Sequence, residues 1–167
     1  MGLFDMFKGD SGQEMTPPLA LTISMLYMIG ADGEIANEEI GQLLAVIGGA
    51  DSNGAIGVGG NNQAMLDKAI KYWKSKNTEQ FFTEATPILS DAQRMCILAN
   101  ICDSLLSDGT AARQEQELFN KFLKAFDVSE ERFRPFFEVI SLKNDRSVFR
   151  NANHPKNQAG YKVNLSK

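Results

Sequence analysis

Apolar residues in this chain recur every three to four positions, and no segment alternates with period two over the length of a strand. Leu19, Ile23, Leu26 and Tyr27 mark a first helical face. Thr16 is its N-cap, Pro17 and Pro18 suit its first turn, and Gly30 closes it. Ile40, Leu43, Leu44 and Ile47 follow the spacing of a second helix. A third spans roughly residues 63–76, with Leu66, Ala69, Ile70 and Trp73 inward. Asn77 caps a short helix carrying Phe81 and Phe82, which breaks at Pro87. Ser90 opens the next, with Leu98, Ile101, Cys102 and Leu105 on its apolar side. Leu118, Phe119, Phe122, Leu123 and Phe126 mark another. Ser129 begins the last, where Phe133, Phe136, Phe137 and Ile140 hold the spacing and Pro135 predicts a kink or two short pieces. The phenylalanines from Phe119 to Phe137 read as core. The pattern predicts an all-α fold, a compact bundle of six to seven helices.

The pattern also repeats. Asp32-Gly33 is followed by Glu39, and 76 residues later Asp108-Gly109 is followed by Glu115. At the same offset Leu21 meets Ile97, Met25 meets Ile101, Leu43 meets Phe119 and Ile47 meets Leu123. Matching apolar positions predict two pseudo-repeated helix–turn–helix units packed around one core. The expected organisation is an N-terminal arm (1–15), a helical domain (16–142) interrupted by a Gly-rich loop insert (51–62), and a basic flexible tail (143–167).

Composition narrows the class. The chain has 167 residues, 43% of them apolar, which suits one globular domain. Its longest apolar run, 19–31, is too short to span a bilayer. The N-terminus has no basic n-region or small-residue cleavage site, so the expected location is the cytoplasm. Cys96 and Cys102 are too far apart on one helix to bridge, and read as buried, reduced thiols. Charge is unevenly placed. Residues 1–142 carry 11 basic and 20 acidic side chains, whereas 143–167 carry six basic ones and Asp145 alone. An acidic body argues against nucleic-acid binding by the core.

The candidate chemistry lies at the two acidic turns. The first gathers Asp32, Glu34, Glu38 and Glu39; the second has Asp103, Asp108 and Glu115. An EF-hand loop places Gly at position 6 and Glu at position 12, and both turns satisfy that. Positions 1 and 3 are Met28 and Gly30 in one turn and Ser104 and Leu106 in the other, so half the oxygen cage is missing. Turn and capping chemistry account for one Gly and one Glu in each turn. They do not account for the surplus acids, whose mutual repulsion a cation or a basic partner would offset. If the two turns lie side by side, these seven carboxylates form a candidate Ca²⁺ or Mg²⁺ site.

At these residues the chain resembles a known family. The segments IGADGEIANEEI and LLSDGTAARQEQELFNKFLKAFDVSEE are similar to the TerB-like (tellurite-resistance) domain. Its pattern is a helix, an ADG-type turn, an acidic residue seven positions on and a second helix, given twice. The resemblance covers roughly residues 17–142, and departs from the family at Thr110 and Gln114, where acids are commoner. It implies a cytoplasmic domain of about seven helices. It also implies a role in bacterial tellurite and general stress resistance through protein partners, membrane-associated ones among them. It implies divalent-metal binding by acidic residues, which map onto Asp32, Glu39, Asp108 and Glu115.

The function this predicts is a non-enzymatic binding or adaptor module whose acidic surface takes a divalent cation or a basic partner. A second reading is recruitment to a membrane or protein through the basic tail and the apolar arm of Leu3, Phe4 and Phe7, with only peripheral membrane contact. A metal-dependent hydrolase is the third, and requires an open cleft. A serine nucleophile lacks a base, because the one histidine, His154, lies in the tail. The 51–62 loop lacks every phosphate-loop signature.

Overall fold

Helix α1 (Pro17–Ile29) is apolar on every face, and every residue from Leu19 to Ile29 is buried. A helix of that kind must be surrounded. Its buried threonine and serine hydroxyls turn back on the helix itself. Thr22 Oγ1 donates to the Pro18 carbonyl at 3.0 Å and Ser24 Oγ to Ala20 at 2.7 Å. The computed structural model describes residues 14–47, 62–107, 109 and 111–163. Around α1 it places α2 (Asn37–Ile47), α3 (Asn62–Ser75), α4 (Thr78–Ala85), α5 (Asp91–Leu106), α6 (Arg113–Ala125) and α7 (Glu130–Asn144), followed by a short α8 (Ser147–Arg150). Among the described residues there are eight α-helices and no strand, so the all-α expectation holds, with one helix more than the pattern predicts. The Leu3–Phe7 arm and most of the 51–62 insert lie outside the described residues.

Most of the packing runs through α1 and α5. α1 packs chiefly on α3 and α5; α5 packs in turn on α6 and α7. α3 runs parallel to α1. Thr22 Oγ1, midway along α1, reaches Met65 Sδ in the first turn of α3 at 3.4 Å, and Tyr27 Oη, in the last turn of α1, donates to the Lys76 carbonyl just past the end of α3 at 2.9 Å. α7 runs parallel to α5 by the same test. Arg132 pairs with Asp91 at 2.5 Å near the starts and Lys143 with Asp103 at 2.7 Å near the ends. Phe81 joins the two halves, its ring 5.6 Å from Tyr27, 5.8 Å from Phe82 and 6.1 Å from Phe122. Helix starts follow the sequence signals. Asn77 with Gln80 and Ser90 with Gln93 form reciprocal capping boxes.

The structure departs from the pattern in four places. α7 is continuous through Pro135 from Glu130 to Asn144, rather than two pieces. Phe136 and Phe137 are not core: they are 44% and 42% exposed, and Phe133 is the one buried residue of α7. The reason is position. α7 covers one side of α5 and nothing among the described residues covers its outer face. Cys96 is exposed, and only Cys102 is buried. Burial, with a smaller push from the Asp103 charge, raises the Cys102 thiol to about 12. Finally, the segment read as a flexible tail forms α8 and a 3-10 turn at Pro155–Asn157. No helix among the described residues is long and apolar enough to cross a membrane.

Candidate functional site

The two acidic turns are built alike. After α1, Gly33 N–H donates to the Gly30 carbonyl at 2.9 Å; after α5, Gly109 N–H donates to Leu106 at 3.1 Å. Both glycines have positive φ, 93° and 78°, a region that L side chains avoid. Three residues on, Ala36 N–H donates to Glu39 Oε2 at 2.7 Å, and Ala112 N–H to Glu115 Oε2 at 2.7 Å. Each pair of contacts is 76 residues apart. Glu39 and Glu115 thus occupy the third position of α2 and α6 and satisfy the N–H of the residue before each helix. This is half of a capping box, because alanine has no side-chain acceptor to return the bond. The seven-residue spacing from Asp to Glu is therefore the length of a turn plus a cap.

The other candidate acids divide by what they touch. Asp32 Oδ1 accepts from the Glu34 N–H at 3.0 Å, an Asx-turn that shapes the first bend. Glu34 and Glu38 are exposed. None of Asp32, Glu34, Glu38 or Glu39 holds an ion pair among the described residues. Asp103 belongs to a different assembly. Its two oxygens accept from Lys143 Nζ at 2.8 and 2.7 Å, and Oδ1 also accepts from Asn144 Nδ2 at 2.8 Å. Partial burial pushes its carboxyl upward, but these donors and the ammonium charge outweigh that and hold it below the usual range. Asp103 thus fastens the end of α7 to α5. Asp108 lies outside the described residues. Among the described residues, no three Asp, Glu, His or Cys side chains converge as ligands for one ion.

The hydrophobic pattern gives no hint of a concavity of about 450 Å³ between α5, α6 and α7. Leu105, Phe119, Leu123, Phe133 and Phe137 line it, with Glu130 and Arg134 at its edge. Its apolar residues read as core in the sequence because they have core spacing. What opens the groove is α7, which buries Phe133 and leaves Phe137 partly exposed. The C-terminal segment forms a third feature. Asp145 Oδ2 accepts from Lys156 Nζ at 3.0 Å and lies 3.4 Å from His154 Nε2, and Asp145 Oδ1 accepts from the Ser147 hydroxyl. The Ser147 and Lys156 donors pull the Asp145 carboxyl down to about 2.

No protein-family model, curated protein or solved structure matches this chain.

Proposed function

We propose that this chain is a non-enzymatic binding module, an adaptor in bacterial stress resistance of the tellurite type, whose first acidic turn takes a basic segment of a partner protein. One observation carries this reading. Asp91, Asp103, Glu117 and Asp145 each hold a cationic partner. Asp32, Glu34 and Glu38 are exposed, hold none among the described residues and fall within seven positions of one another, whereas unpaired exposed acids such as Glu79, Glu131 and Glu138 are spread over α4 and α7. A negative surface left without internal compensation is suited to a positive ligand from outside. A basic peptide fits better than a small cation, because the described carboxylates do not close around a point. The stress role rests on the resemblance carried by the two turns.

Titration calorimetry with decalysine at low salt tests the reading. Heat that disappears in the Asp32→Asn, Glu34→Gln, Glu38→Gln variant supports it. The control neutralises Glu79, Glu131 and Glu138, which changes net charge equally elsewhere. An equal loss of heat in that control defeats the reading, because net charge alone would then explain binding. Heat with Ca²⁺ or Mg²⁺ that vanishes in an Asp32→Asn, Asp108→Asn variant would transfer the site from a basic partner to a cation. In cells, loss of the protein is expected to lower tellurite tolerance, restored by the wild type and not by the triple variant.

A further inference from the structure

Residues 145–163 carry a surface opposite in character to the acidic turns. Phe149 is 94% exposed, whereas the other exposed large apolar side chains among the described residues are 39–44% exposed. It lies on α8 with Arg150, and Arg146 is the N-cap of that helix. The spacing i, i+3, i+4 puts Arg146, Phe149 and Arg150 on one side. Both arginines are exposed and pair with no acid among the described residues.

The loop that presents them is fastened from within. Asp145 accepts from the Ser147 N–H at 3.2 Å and from Lys156 at 3.0 Å. Asn157 Nδ2 donates to the Val148 carbonyl at 2.8 Å and to Asn151 at 3.0 Å, which closes the chain behind α8. The one acid of the segment is therefore occupied by Lys156, and α8 is held in place before any ligand arrives. Tyr161 and Val163, 43% and 39% exposed, add apolar surface to the same segment.

We propose that this loop docks the protein on an anionic lipid surface, with Phe149 entering the boundary between headgroups and acyl chains and Arg146 and Arg150 pairing with lipid phosphates. A bilayer interface supplies both partners this arrangement needs, an apolar layer beneath a phosphate layer. Charge complementarity selects anionic lipid, because residues 143–167 carry six basic side chains and one acid. A single-stranded nucleic acid needs a track of several aromatic platforms along a basic groove. Here Phe149 alone projects fully, with Tyr161 half-exposed, and residues 1–142 are strongly acidic. The proposal does not depend on the acidic-turn reading, and the two are tested on different residues.

The test is co-sedimentation of the full chain with vesicles of phosphatidylethanolamine containing phosphatidylglycerol, against vesicles of phosphatidylcholine alone. The wild type is expected in the pellet with the anionic vesicles only. Removing one arginine charge should lower partitioning about fivefold, so Arg146→Gln with Arg150→Gln should abolish it in practice. Phe149→Ala should lower it about tenfold. The Arg146→Lys, Arg150→Lys variant should retain most binding, because the surface reads charge. All these side chains are exposed, so circular dichroism should show unchanged helix content and melting. Phe149→Trp should gain a blue-shifted emission on anionic vesicles, above the Trp73 background. A wild type left in the supernatant, equal binding to phosphatidylcholine, or binding unchanged in the Gln and Ala variants each overturns the proposal. Binding to oligo-dT in place of vesicles overturns it in favour of a nucleic-acid partner.

Discussion

Gly30 and Gly33 both sit in the first turn but resist substitution for different physical reasons. Gly30 has φ −92°, an ordinary backbone, so it does not end α1 by a left-handed residue as its position suggests. Its constraint is steric. A Cβ there would meet Trp73 Cζ2 at 2.7 Å and the Leu26 carbonyl at 3.0 Å. Gly33 has open space around it and a φ of 93°. Gly30→Ala is expected to cost about 1–3 kcal/mol through overpacking, and Gly33→Ala about 1–2 kcal/mol through backbone strain. Urea denaturation in the Trp73→Leu background separates them. Shrinking Trp73 should return more than about 0.5 kcal/mol of the Gly30→Ala loss and leave the Gly33→Ala loss unchanged. Equal coupling at both positions would refute the distinction. The sequence marks both glycines, but it cannot distinguish them, because the constraint on Gly30 comes from a tryptophan 43 positions away. Glu39 and Glu115 were legible for the opposite reason: a cap at the third helical position is local chemistry, visible in the residue order.

Helix boundaries were legible; which helices run side by side was not. The caps at Thr16, Asn77, Ser90 and Ser129 all stand where the sequence signals them. The Asp103–Lys143 pair spans 40 residues, and in the sequence its two members read as a surplus acid and the start of a tail. They meet only because α7 runs parallel to α5, a consequence of tertiary packing. Arg94 is a second such link. Its Nη2 donates to the Thr86 carbonyl at 2.7 Å and its Nη1 to the Phe126 carbonyl at 3.3 Å. One guanidinium thus ties the turn after α4 to the last carbonyls of α6, where the helix dipole favours a cation. Arg94→Met keeps much of the apolar stem and removes the donors. The expected loss is about 1.5–3 kcal/mol, the range for hydrogen bonds to a charged group. Arg94→Lys should recover only part of it, since a single ammonium does not span both acceptors as the fork does. A Met variant as stable as the wild type in urea would show that these carbonyls find other partners.

Across the whole molecule, titration sets a stability window that follows from where burial and pairing fall. On the acid side, the Ser147 and Lys156 donors lower Asp145 from 3.8 to about 2. A carboxyl lowered by folding contributes above its unfolded value, and the contribution fades as pH falls from 3.8 toward 2. On the alkaline side, burial is the leading cause that raises Cys102 from 9.0 and Tyr27 from 10.0, each to about 12. Folding favours the neutral form of both. Their contribution is complete below 9.0 and 10.0 respectively, and is lost as pH climbs from those values toward 12. The urea midpoint is therefore expected to change little from these groups between pH 4 and 9, then to fall steadily on the alkaline side. Cys102→Ser and Tyr27→Phe should separate the two causes. The serine hydroxyl does not ionise in this range, so Cys102→Ser should flatten the slope that begins near pH 9, whatever it costs at neutral pH. Tyr27→Phe loses the bond to the Lys76 carbonyl and so starts lower, but should flatten the slope that begins near pH 10. A midpoint that falls as steeply with both groups removed would place the alkaline limit elsewhere, in the Tyr72 phenol, which burial and the nearby Glu84 also raise, or in repulsion across the acidic residues 1–142 as the lysines discharge.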